Sequence, residues 1–131
     1  MILDSSALLA VILNEPDEDR FLAAMIDAPA LRMSAGNWLE SAIVVDSAKK
    51  SAMTRRLEDL KTALRIEIVP VTEQAADRGR IAHNVFGRGK HPARLNYGDC
   101  FAYALAALSR EPLLFKGDDF SQTDIEPALK D

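Results

Sequence analysis

The sequence predicts an α/β protein: a three-layer α/β/α sandwich around a mainly parallel central sheet of four to five strands. Three observations carry that expectation. Short apolar runs at residues 1–3, 31–33, 66–71 and 113–115 have the length and composition of buried strands. Segments of ten or more residues with helical periodicity separate them, which suits crossovers between parallel strands rather than hairpins. Such crossovers place helices on both faces of the sheet. The 131 residues are read as one domain spanning 1–131, without a linker, and long enough to bury about two thirds of the unfolded surface.

Taken in order, Met1-Ile2-Leu3 is a strand that ends in the polar Asp4-Ser5-Ser6, and residues 7–13 resume as an apolar helix. Asn14-Glu15-Pro16-Asp17 breaks it. Residues 18–28 form a second helix with Phe21, Leu22, Met25 and Ile26 inward. A strand at 31–33 leads to Ser34, a candidate N-cap for a long helix over 35–49. The next helix, 53–64, aligns Leu57, Leu60 and Leu64 on one face, and 66–71 alternates as a strand does. Thr72 followed by Glu73 opens a helix that stops near Phe86-Gly87. Residues 87–94 are basic and broken by Gly and Pro, and are expected to be a loop. A helix over 96–109 follows, then Pro112, a last strand at 113–115, and a tail in which Ile125 is expected to add an edge strand.

Composition narrows the function. Hydrophobic residues make up 48% and charged residues 27%, an ordinary globular balance. No run approaches the roughly 18 apolar residues of a membrane span, and signal-peptide grammar is missing, so a cytoplasmic location without membrane contact is expected. The single Cys100 excludes an internal disulfide and a multi-thiolate zinc site. A net charge of −4 speaks against a broadly cationic duplex binder, yet leaves room for an enzyme that handles phosphates through metal ions.

The acids are where the chemistry concentrates. In open parallel sheets ligands bind beyond the carboxyl ends of the strands. Asp4 follows the first strand, Asp118 and Asp119 follow the last, Asp99 opens the helix before it, and Glu40 enters from the helix over 35–49. The i±3 and i±4 neighbours of Glu40 and Asp99 on their helices include no Lys or Arg. Each acid also has a plainer explanation: Asn96 and Asp99 can cap a helix together, Glu40 can face solvent, and Asp118-Asp119 can form a turn. As a group, acids without local cations are costly unless a shared cation compensates them. An all-oxygen set suits Mg²⁺, with Mn²⁺ as the alternative, over zinc, and such ions typically hold phosphates in phosphodiester hydrolysis. His83 is expected to be structural, and His91 to neighbour a phosphate or lie in solvent. Arg88, Lys90 and Arg94 are candidate contacts to a nucleic-acid backbone, and Trp38 and Tyr97 could stack bases, although Trp38 is more often core or interface.

Asp4-Ser5-Ser6, Glu40, the block from Asn96 to Ala106 and the block from Leu113 to Phe120 together resemble the PIN-domain ribonucleases of the VapC toxin type. The resemblance runs over essentially the whole chain. It implies a PIN-like fold and a Mg²⁺-dependent endoribonuclease, the toxin of a type II toxin-antitoxin pair, that dimerises and is neutralised by a small VapB-like antitoxin. It further implies that Asp4, Glu40 and Asp99 are the acidic triad, with Asp4 and Asp99 as principal metal ligands. Ser6 falls on the hydroxyl position that supports the first acid. Asp118 is the expected fourth acid and metal ligand, with Asp119 beside it as a supporting candidate; Lys116 stands where the family often has Thr. Other readings stay open: a housekeeping RNA-processing nuclease, a haloacid-dehalogenase-like phosphatase, or a non-catalytic interaction module. The phosphatase reading lacks its second Asp two residues after the first, where this chain has Ser6.

Overall fold

The computed structural model describes residues 1–130. Its strands are β1 (Ile2–Leu3), β2 (Arg32–Ser34), β3 (Glu67–Val69) and β4 (Leu113–Leu114), and they pair in the order β3-β2-β1-β4, every pair parallel. Six helices accompany them: α1 (Ser5–Ile12), α2 (Glu18–Asp27), α3 (Ala35–Ser47), α4 (Ser51–Ala63), α5 (Glu73–Phe86) and α6 (Tyr97–Ser109), with a 3₁₀ turn at Phe120–Gln122.

The strands are shorter than their apolar runs because helix caps claim the adjacent residues. Asp4 caps α1 directly after β1. Ser34 is at once the last residue of β2 and the N-cap of α3, its Oγ accepting the Gly36 N–H at 3.2 Å. β3 ends at Val69, ahead of Pro70, which has no N–H to give a ladder. One expectation is corrected: the tail forms no strand around Ile125. It meets the sheet through a single parallel bridge between Leu113 and Pro127, with Leu113 N–H donating to the Glu126 carbonyl at 3.0 Å.

Adjacent strand residues feed opposite faces, as the period of two requires. Leu3, Met33 and Leu114 pack with Leu8, Phe21, Val45 and Leu57 of α1 to α4. Ile2 and Leu113 pack with Ala82 of α5, Ala102 and Tyr103 of α6, and Phe120. Helices cover both faces, and because all strands run the same way their carboxyl ends share one edge. Asp4 N–H donates to the Leu114 carbonyl at 3.0 Å, which ties the ends of β1 and β4 together there.

Phe120 fastens the polar segment after β4 to this frame. It is 2% exposed and its ring lies 5.2 Å from that of Phe115. Phe120→Ala is expected to cost about 3–5 kcal/mol in urea unfolding. Tyr97→Ala, at a side chain 80% exposed, should change stability by less than about 0.5 kcal/mol.

Candidate functional site

Asp4 is 5% exposed and is held from below. Its Oδ2 accepts the Ser6 N–H at 3.0 Å and the Ser6 hydroxyl at 2.5 Å. The same hydroxyl accepts the Lys116 N–H at 2.9 Å, so Ser6 joins the acid to the backbone just past β4. Burial pushes the Asp4 carboxyl from its ordinary 3.8 up to about 6; the Ser6 bonds pull the other way, and the Glu40 charge adds to the rise.

Asp99 sits in a reciprocal capping box. Its Oδ2 accepts the Asn96 N–H at 3.0 Å, and Asn96 Oδ1 accepts the Asp99 N–H at 2.9 Å. A first-turn position favours the charge by about 0.3–1 kcal/mol. Burial outweighs it: Asp99 is 8% exposed, and its carboxyl is pushed up to about 7. The Asn96 amide opposes that rise, while Asp4 and Asp119 reinforce it.

Glu40 stands at the rim of the site, exposed, with Oε1 accepting the Ser5 hydroxyl at 2.5 Å. Asp4, Glu40, Asp99 and Asp119 are thus linked by mutual repulsion: Glu40 acts on Asp4, and Asp4 and Asp119 act on Asp99. Asp118 lines a groove with Asp17, Phe21, Lys116 and Lys130, and its carbonyl accepts the Ser121 hydroxyl at 2.7 Å. The acid that reaches Asp99 from the β4 segment is therefore Asp119, one residue beyond the one favoured on sequence.

The basic residues lie on the loop between α5 and α6. Arg88, Lys90 and Arg94 are all exposed, and the loop is closed by Arg88 N–H to the Leu95 carbonyl (3.1 Å) and Leu95 N–H to the Phe86 carbonyl (3.0 Å). Lys90 Nζ donates to Asn84 Oδ1 at 3.0 Å. His91 is part of the loop's architecture: its Nδ1 accepts the Ala93 N–H at 3.0 Å, and its ring meets Phe86 edge-on at 5.1 Å. Trp38 is partly buried, with Lys61 Nζ 4.7 Å above its ring. Tyr97 projects from the start of α6 and is braced edge-on by Phe101 at 4.9 Å.

Three residues to which the sequence reading gives no role in the site join the acids: Ser5, Asn37 and Gly98. Asn37 Nδ2 donates to the Gly98 carbonyl at 2.9 Å and lies 3.5 Å from Glu40 Oε1. Only Asn37 carried a usable signal, standing three residues before Glu40 on the same helical face.

The donor set fits a hard divalent cation. Every candidate ligand is a carboxylate oxygen, two of the four acids are buried and individually braced, and the charges acting on them are negative. Among the described residues no three His, Cys, Asp or Glu side chains form a finished metal cluster. Glu40 is turned onto Ser5, and Asp99 onto Asn96.

The PIN domain model matches residues 1–126. Ribonuclease VapC28 of Mycobacterium tuberculosis is 44% identical over 130 residues, covering 98% of both chains. In structure the chain is similar to the crystal structure of Mycobacterium tuberculosis VapC20, a sarcin-ricin loop cleaving toxin, with a TM-score of 0.75 at 12% identity over 95% of both chains. It is also similar to a toxin-antitoxin complex from Klebsiella pneumoniae, with a TM-score of 0.69 at 21% identity, covering 94% of this chain and 92% of that one. The structural likenesses speak to the fold, and the sequence matches speak to descent: the chain belongs to the PIN domain family and, within it, to the VapC ribonucleases.

Proposed function

We propose that this chain is a divalent-metal-dependent endoribonuclease that acts as the toxin of a type II toxin-antitoxin pair. The observation that carries the reading is the convergence of Asp4, Glu40, Asp99 and Asp119 on one sheet edge, where the neighbouring charges are other carboxylates. Asp4, Asp99 and Asp119 would hold Mg²⁺, with Mn²⁺ as a substitute; Asp119 takes the place of Asp118 because it faces Asp99. When bound, such an ion neutralises charge on a scissile phosphate and makes an attacking water more acidic.

The chain's own residues do the rest. Ser6 and Asn96 hold the two buried acids still, so little reorganisation is needed when substrate arrives. Glu40, at the exposed rim, accepts the proton from the attacking water. The water oxygen forms a new bond to phosphorus, the bond to the leaving oxygen breaks, and solvent returns a proton to that oxygen. Arg88, Lys90 and Arg94 contact the RNA backbone and offset the repulsion between polyanion and acidic site.

The activity is cytoplasmic and is held in check by a VapB-like antitoxin, a reading supported by the likeness of the fold to a toxin-antitoxin complex. Among the described residues no helix is long and apolar enough to cross a membrane. The chain works as a homodimer. Leu39, Ile43 and Val44 of α3 are 59%, 55% and 41% exposed, an apolar stripe that suits cover by another chain.

Asp99→Asn tests the reading on a mixed RNA pool, with Mg²⁺ and with EDTA. Cleavage should fall by at least about 100-fold in the variant and vanish in EDTA. At pH 7 without metal the variant should melt at or above the wild type, because it loses a carboxylate whose charge burial disfavours. Cleavage that survives EDTA or the substitution overturns the mechanism.

The raised acids also set a pH dependence. Folded Asp4 and Asp99 hold protons to about 6 and about 7 against an ordinary 3.8. The folded state therefore binds more protons than the unfolded state between about pH 4 and 7, and stability falls as pH rises through that window. In EDTA the unfolding free energy should drop by roughly 1–2 kcal/mol per pH unit between pH 5 and 7. Asp99→Asn should flatten the slope, and a flat wild-type profile would contradict the burial of these charges.

Removing the loop's cations should act differently. Arg88→Ala with Arg94→Ala is expected to weaken RNA binding across sequences and to lower the salt slope by about one per lost contact. An unchanged slope would place the backbone contacts elsewhere.

A further inference from the structure

Asn37 has an environment that stability alone does not explain. It is fully buried, and its Oδ1 has no hydrogen-bond partner. An unmet buried acceptor costs about 1–3 kcal/mol, so a small apolar residue would burden α3 less. The other end of the amide is fully employed: Nδ2 donates to the Gly98 carbonyl at 2.9 Å and faces Glu40 Oε1 at 3.5 Å. Its backbone carbonyl accepts the Ser41 hydroxyl at 2.9 Å and lies 3.2 Å from the Ser5 oxygen.

Ser5 and Gly98 complete a seat around Glu40. Ser5, the residue after Asp4, donates its hydroxyl to Glu40 Oε1 at 2.5 Å. Gly98, the residue before Asp99, has no side chain where the other oxygen rests: a Cβ there would lie 2.3 Å from Glu40 Oε2 and 2.9 Å from its Cδ. The neighbours in sequence of the two buried acids are thus the groups that touch Glu40, and Asn37 links them from α3.

Resting on the nuclease reading above, we propose that Asn37 is a positioning residue which, with the Ser5 hydroxyl and the bare Cα of Gly98, fixes the Glu40 carboxylate between the segments that carry Asp4 and Asp99. The seat explains why position 98 takes no Cβ: an added methyl meets the end of a flexible side chain, so Glu40 is displaced while the fold survives. It also explains why an amide spans α3 and α6 at the cost of an unmet acceptor.

The test uses Gly98→Ala and Asn37→Ser, each alone and combined with Glu40→Gln. Thermal melting, Mn²⁺ binding by calorimetry without RNA, and RNA cleavage in Mg²⁺ are measured for all. Both single variants should stay folded and lose cleavage by about 10–100-fold, with Mn²⁺ binding weakened no further than Glu40→Gln weakens it. In the Glu40→Gln background neither should cause further loss, since the effect runs through Glu40. Unchanged binding and cleavage in the single variants, or losses that add in full to those of Glu40→Gln, would overturn the proposal. Unfolding of Gly98→Ala would overturn the part assigned to Gly98, and Asn37→Ser then decides the amide's role. A wild type that neither binds Mn²⁺ nor cleaves RNA removes the nuclease reading and this inference with it; an active wild type with indifferent variants removes the seat alone.

Discussion

α1 and α6 each carry a buried carboxylate at their start, and the structure depends on how each is held. Asp4 caps α1 through the Ser6 amide and hydroxyl, and Asp99 shares a capping box with Asn96. Helix starts are favourable places for negative charge. Both acids nevertheless ionise with difficulty, because they are buried and face other acids. Capping and site chemistry are therefore not rival explanations. The cap supplies fixed geometry at low cost, and burial leaves a charge that the protein itself does not neutralise.

The sheet makes this arrangement possible in few residues. With four parallel strands of two or three residues each, every carboxyl end falls on the same edge, and the chain passes from strand to helix cap almost without a loop. β1 sits between β2 and β4, so Asp4 lies near the middle of that edge. The Ser6 hydroxyl uses both of its capacities there, donating to Asp4 and accepting from Lys116 N–H. That double role holds the acid of the first strand to the segment that delivers Asp119.

Much of this was legible in the sequence because it is local. Ser34, Thr72 and Asn96 announce their helices through capping chemistry that acts over two or three residues, and the apolar runs mark strands buried on both faces. What was not legible depends on turn geometry or on distant contacts. The choice between Asp118 and Asp119 turns on one residue of register, set by Gly117 in the left-handed region (φ +99°) and by Phe120 anchoring the far side. No periodicity reports that. Ser5 reaching Glu40 across 35 residues, and Gly98 making room for the same carboxylate, are properties of packed segments rather than of either stretch alone. Ile125 belongs with these: its apolar character suggests pairing, whereas the tail bonds to Leu113 only through the Glu126 carbonyl and the Ala128 N–H on either side of Pro127.

The placement of the cations completes the electrostatic logic. Lys116 is close in sequence to the acidic segment and could have neutralised it. Instead its Nζ is held by Glu15 at 2.7 Å, with Asp17 at 3.8 Å. Lys90 is tied to Asn84, and Arg78 lies 5.3 Å from the centre of the Tyr103 ring. Each of these side chains has a partner away from the acids. Asp4 and Asp99 keep their mutual repulsion as a result, and a cation entering from solvent meets no built-in competitor among these groups. A protein organised only for stability would gain by swinging Lys116 toward Asp119. This chain spends that lysine on the turn between α1 and α2 and leaves the acidic edge without its charge.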